Sequence, residues 1–153
     1  MALDIRTVFS AVESHAMASG HFTAVNGHEP QSPPTSPGLL CAVWTDQIGP
    51  ARGASGLDST STRLALRVRL YAPLVQQEPD AIDPTLMDAL DWLMGAYSGD
   101  FTLGGLVRQV DLLGTYGAPL SAQAGYLSTA SAEARVMDIV LPLIVNDLWD
   151  QEA

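Results

Sequence analysis

The sequence predicts an α/β protein of the α+β type: two helices packed on one mainly antiparallel, mixed β-sheet, in the order α-β-β-β-α-β-β-β. Three observations predict it. Residues 63–71 and 135–149 place apolar side chains on alternate positions, the period of a strand buried on one face. Residues 2–19 and 84–97 repeat them every three or four positions, the period of an amphipathic helix. Between these lie shorter apolar runs separated by Gly- and Pro-rich breaks. With 153 residues, 47% hydrophobic and 16% charged, the chain is expected to form a single domain, 1–153, around one core.

The elements follow in order. In 2–19, Ile5, Val8, Phe9, Val12 and Ala16 make the apolar stripe and Gly20 is the stop. Residues 21–26 read as a short strand ended by Asn26-Gly27. Prolines at 30, 33, 34 and 37 make 28–38 an extended loop, because each fixes φ and removes a donor. A second strand, 39–45, holds the lone Cys41 in an apolar run, where it reads as a small buried hydrophobe. Residues 46–59 are polar and Gly/Ala-rich, far longer than a hairpin loop of ~2–5 residues. They are expected to form an extended contact arm that a partner orders, with Asp46, Gln47, Arg52, Ser55 and Asp58 as its contact residues.

The strand 63–71 turns Leu64, Leu66, Val68 and Leu70 to one face, and Arg63, Arg67 and Arg69, with Ala65 and Tyr71, to the other. Asp83 is expected to cap the next helix with Pro84 at its first position. Leu86, Leu90, Leu93, Met94 and Tyr97 then form its stripe, Asp88 and Asp91 lie off it, and Ser98-Gly99 ends it. Residues 102–113 read as a strand in which Gly104-Gly105 marks a bulge. A turn at 114–119, a weaker strand at 122–127 and a turn at 128–133 follow. The last strand, 135–149, has Met137, Ile139, Leu141, Leu143 and Val145 as its core face. Pro142, on its other face, predicts an edge position or a bulge.

Composition excludes several function classes. The net charge is −10, and all seven basic residues are arginines against seventeen acids, so there is no basic footprint for nucleic acid or an anionic membrane. No segment reaches the ~20 apolar residues of a membrane span, and the N-terminus lacks a secretory pattern, so a cytosolic, intracellularly assembled protein is expected. His28-Glu29 opens like a zinc-protease motif, but Ser32 stands where the second His would be and Pro30 forbids the helix. His15, His21 and His28 are scattered. Gly53-Ala54-Ser55-Gly56 lacks the glycine spacing of a nucleophile elbow. The absence of lysine removes the phosphate-loop lysine and Schiff-base chemistry. No enzyme, catalytic residue, cofactor or metal is therefore expected.

What remains is the arginine row, nearly half of the positive charge on one face of one strand. Its bland reading is a solvated face whose charges block aggregation. The sharper reading is an interface, because the planar guanidinium fork binds carboxylates bidentately. Arg63, Arg67, Arg69 and Tyr71 would form the basic side of a subunit or tube contact, and Asp80, Asp83, Asp88, Asp91 and Asp100 the acidic side.

Thr60-Ser61-Thr62-Arg63 leads into Val68-Arg69-Leu70-Tyr71 and then Ile82-Asp83-Pro84. Ser98-Gly99-Asp100-Phe101-Thr102-Leu103-Gly104-Gly105 follows, and Val136-Met137-Asp138-Ile139 through Val145-Asn146-Asp147-Leu148-Trp149 closes the series. In this order and spacing, over nearly the whole chain, the sequence resembles tail terminator proteins of long-tailed, siphovirus-type phages, particularly those of actinobacteria. The resemblance implies a structural virion protein forming a homohexameric ring that caps the tail tube, stops its elongation and joins it to the head connector. It also implies assembly in the host cytoplasm, a place at the tail–neck junction, and loops 46–59 and 114–122 as contacts. The implied partners are further copies of the chain, the tail tube protein and the head–tail connector or stopper protein, with DNA only passing through the ring. Two other readings stand beside it: another neck or tail-completion connector, and, in a different class, a small cytosolic ligand-binding or enzymatic α+β domain with a concave polar pocket.

Overall fold

Alternation along the two longest strands decides which sheet face is buried, and the helices fall on that face. The computed structural model describes residues 3–31, 33, 37–74, 78–129 and 132–151. It contains α1 (Ile5–Ser19), β1 (Phe22–Asn26), β2 (Leu39–Pro50), β3 (Ser59–Pro73), α2 (Pro79–Gly99), β4 (Gln109–Val110), β5 (Ser121–Ser128) and β6 (Glu133–Asp150), the expected order. Residue 2 of the expected first helix, 32 and 34–36 of the proline loop, and 130–131 of the last turn lie outside the described residues.

One six-stranded sheet runs β1-β2-β3-β6-β4, with β5 also pairing β6. β1 lies parallel to β2 and every other pairing is antiparallel. The β3–β6 ladder runs from Ser59↔Asp150 to Pro73↔Ala134. On the other flank of β6, β5 occupies one half (Ser128↔Glu133 to Ser121↔Val140) and β4 pairs with Leu143 and Ile144.

Val8, Val12 and Ala16 of α1 and Leu86, Leu93 and Tyr97 of α2 are buried with Leu64, Leu66, Val68 and Leu70 of β3 and Met137, Ile139, Leu141 and Leu143 of β6. Each large side chain so buried contributes ~1.5–3 kcal/mol. Gly20 stops α1 at φ 73°, a left-handed backbone that costs glycine little. Tyr97 Oη donates to the Val12 carbonyl at 3.2 Å, so the buried phenol is satisfied and ties α2 to α1.

Four expectations are corrected. First, 46–59 is not an extended loop. Residues 47–50 continue β2 opposite Ala65, Leu64, Arg63 and Thr62, after a register shift between Thr45 and Gln47. β3 is long enough to offer them ladder partners, and this overrides their weak strand propensity. A 3₁₀ turn at Arg52–Ala54 closes the hairpin. The buried Ser61 hydroxyl donates to the Ala54 carbonyl (2.8 Å) and accepts from the Asp147 N–H (3.0 Å). Ser55 Oγ donates to the Ala51 carbonyl and accepts from the Ser61 N–H.

Second, α2 begins at Pro79, not Pro84, with Glu78 at the N-cap. Pro79 supplies the same preorganised φ five residues earlier. Pro84 then lies inside the helix on its exposed side, forfeiting one backbone bond, and Asp83 is free to pair elsewhere. Third, within 102–113 only Gln109–Val110 is strand. Leu103, Gly104 and Gly105 all have positive φ (50°, 68° and 90°), so the glycines end extended structure instead of marking a bulge.

Fourth, Pro142 is at neither a sheet edge nor a bulge; it stands in β6 opposite Ala65. Its carbonyl accepts from the Asp111 N–H at 2.9 Å, so its missing donor faces that same flank. There β5 has ended at Val140 and β4 is paired only at Leu143 and Ile144. The sheet has a gap where proline has nothing to give.

Ser61→Ala is expected to leave the Asp147 N–H without its acceptor and to lower the free energy of unfolding by about 1–3 kcal/mol, read from a urea melt.

Candidate functional site

Register places Trp44 and Ala42 of β2, the arginines of β3, Asp138 and Val136 of β6, and Gln123 of β5 on the face away from the helices. This face is only partly open. Tyr71 and Ala65 are 1% and 2% exposed, and Tyr71 packs with Ala42, Ala134 and Val136 as a second small apolar cluster. Burial pushes the Tyr71 phenol up from its ordinary value.

The arginines are paired within the chain. Arg69 donates through Nε to Asp138 Oδ1 and through Nη2 to Oδ2 at 3.1 Å, a bidentate fork. Its Nη1 lies 3.6 Å from Glu29, and its guanidinium sits 5.1 Å from the Trp44 ring centre. Burial alone would lower its pKa, but the bonds to Asp138 outweigh that and raise it. Arg67 bridges Asp46 (3.2 Å) and Asp138 (3.4 Å). Arg63 Nη2 donates to the Ala118 carbonyl at 2.9 Å, and Gly117 gives it passage: a Cβ there would stand 2.6 Å from Arg63 Nε.

Asp46, Asp138 and Glu29 thus face Arg67 and Arg69, three carboxylates to two guanidinium groups. Between the loops covering the two ends of the row lies an open depression of about 520 Å³, lined by Arg67, Asp138, Val140, Ser121 and Gln123. Arg67 Nε and Tyr71 Oη are buried without a hydrogen-bond partner among the described residues.

The predicted acidic residues do not form one patch. Asp80, Asp88 and Asp91 are exposed along α2. Asp83 binds Arg135 at 3.0 Å, and Arg135 lies over the Tyr126 ring. Asp100, after the end of α2, accepts the Gly104 N–H and meets His15 Nε2, both at 2.9 Å. Of the predicted contact-arm residues, Asp46 serves Arg67, Ser55 serves the hairpin, and the Asp58 carbonyl accepts from the Gln151 N–H at 2.7 Å. Gln47 and Arg52 are exposed.

Two residues not singled out from sequence organise the face. Asp138 is the hub of both arginines; its signal is an acid interrupting an apolar strand on the off-core phase. Asp111, 1% exposed, accepts the N–H groups of Thr115 and Tyr116 at 2.8 Å each and so shapes the loop that reaches Arg63. A carboxylate that cages a loop through backbone donors has no sequence signature beyond its neighbouring glycines.

Among the described residues no three His, Cys, Asp or Glu side chains stand close enough to hold a metal. Cys41 is buried and its thiol is pushed up to about 12, by burial first and Glu13 second, which keeps it protonated and unreactive. No described helix is long and apolar enough to cross a membrane.

No family model matches the sequence, and no curated protein matches it. A solved structure does share its fold. The whole chain aligns with the sheath/tube terminator, in its extended state, of an extracellular contractile injection system (PVC), at TM-score 0.50 and 10% identity. The chain spans 60% of that protein's length. A chain from the virion of a native gene transfer agent particle aligns at TM-score 0.40 and 16% identity, over 90% of this chain and 93% of its own.

Asp138→Ala is expected to strand Arg69 and to cost about 3 kcal/mol in a urea melt, with Arg67→Ala costing less because its second partner is exposed. The Gly104 N–H, and then His15, hold the Asp100 carboxyl below the usual carboxylate range. That tie therefore stabilises the fold above the range and is lost as pH falls through the lowered value. Asp100→Ala should lower the urea midpoint at about pH 7, and the gap from the parent should shrink as acid protonates the parent's carboxyl.

Proposed function

We propose that this chain is the subunit of a tail terminator, a non-enzymatic virion protein that caps a finished tail tube, stops its elongation and joins it to the head connector. The observation that carries this reading is the alignment of the entire chain, at TM-score 0.50 and 10% identity, with a sheath/tube terminator. The sequence resemblance to terminators of siphovirus-type actinobacteriophages points the same way and supplies the finer details: a homohexameric ring, the tube protein and connector as partners, and a place at the tail–neck junction after assembly in the host cytoplasm.

The physical chemistry agrees. A closed ring needs two different patches on each subunit, and the fold has two flanks of unlike structure. A subunit of net charge −10 lines a passage for DNA without holding the polyanion. In the ring reading the arginine row and the α2 acids act where they are exposed: Arg67 at the depression, and Asp80, Asp88 and Asp91 along the helix. Arg69 serves the subunit's own stability.

Removing the gene from a phage that carries it is expected to give tails of irregular, excessive length and heads without tails, counted in negative-stain micrographs. The purified protein added back should appear as a ring at the tube end. Tails of normal length, joined to heads in its absence, would overturn the assignment.

A further inference from the structure

Among the described residues two strands of the sheet keep a free edge: β1, which is short and irregular in register between Phe22 and Ala24, and β5, which has none of the usual protection. β1 ends the sheet on one side, and among the described residues the backbone bonds of β5 go to β6. Open edges are normally blunted by charge, proline or brevity. β5 is eight residues long with neither charge nor proline, and β1 likewise has none over five residues. The sequence around them is also free of charge: residues 14–28 and 112–132 contain no Asp, Glu, Lys or Arg, in a chain with twenty-four such residues. In a subunit of net charge −10 the two edge strands bring no charge of their own to a second copy, although Arg135 lies over Tyr126 beside β5 and Glu13 stands against Gly27 at the end of β1.

The strand directions fit a head-to-tail contact. β2 and β1 run one way, β3 the other, β6 back again, and β5 opposite to β6, so β5 runs antiparallel to β1. Copies related by rotation about an axis along the strands would bring β5 of one beside β1 of the next in antiparallel order, the better-bonded arrangement. A two-fold pairing of β5 with β5 would leave β1 open.

The register also says which groups are offered. Thr129 N–H bonds the Ala132 carbonyl at 2.8 Å, and Leu74 N–H takes the Glu133 carbonyl on the β3 side. Alternating outward from there, Ala122, Ala124 and Tyr126 turn their N–H and C=O groups away from β6.

We infer that subunits join by making the sheet continuous, β5 of one copy pairing antiparallel with β1 of the next. This rests on the ring reading above, and names the contact that closes the ring.

Amide exchange on the unmodified protein, isolated and assembled on tail tubes, tests it directly. Segments 22–26 and 121–128 are expected to exchange at least ~10-fold more slowly in the assembly. Ala124→Pro removes an outward donor and no bond of the subunit's own ladder, so its melting temperature should stay within a few degrees of the parent while assembly is lost. Mixed Ala24→Cys and Ala124→Cys copies should give cross-linked heterodimers with a short bismaleimide. Rings in which both segments exchange as in the free subunit, Ala124→Pro rings of normal yield, or cross-linking only between Ala124→Cys copies would each overturn the sheet contact and leave the terminator reading standing. If Ala124→Pro does not fold, the exchange result on the unmodified protein decides alone. Failure to assemble on tubes at all would overturn both.

Discussion

Two strands of fifteen and eighteen residues paired along nearly their whole length carry side chains to both faces of the sheet, and here both faces hold apolar ones that must find cover. The β3–β6 ladder imposes that demand, and the other elements answer it. The helices cover one face, where Leu64 to Leu70 and Met137 to Leu143 face the core. On the other face no element is large enough to do the same, and the chain uses charge and short loops instead. Asp138 fixes two arginines flat across the strands, Tyr71 and Val136 make a small second core, and Ala118 and Glu29 meet the arginines at either end.

That solution reverses the electrostatic meaning of the arginine row. A row of three guanidinium groups reads as a positive strip only if its neighbours are neutral. Here each charge meets a carboxylate or carbonyl supplied by a strand or loop distant in sequence, so the row behaves as structural crosslinking. Arg69 is the clearest case: 13% exposed at its side chain, bidentate to Asp138 and held over Trp44, it has little left to give a partner. Arg67 keeps more of its surface, at the open depression.

The element order and core faces were readable because they depend on period alone. Leu64 to Leu70 and Met137 to Leu143 announce their buried phase whatever their partners are. Expectations failed where a residue's meaning depends on something far along the chain. Residues 46–50 lack strand character until β3 offers a ladder. Pro84 looks like a first helical residue until Pro79 is seen to occupy that position. Asp83 looks like a cap until Arg135 stands beside it. The candidate interface suffers most from this dependence, since residue type reports charge but not whether the charge is already spent within the fold.

Pro142 has a wider consequence. β4 and β5 run in the same direction along the same flank of β6, and residues 111–120 leave the sheet between them, at the proline. They are in effect one strand opened where its partner lacks a donor. The ladder resumes on either side independently of how many residues the excursion contains, so length there is uncoupled from register. Such a loop can lengthen or shorten, changing the surface above the gap, while the sheet beneath it keeps its phase.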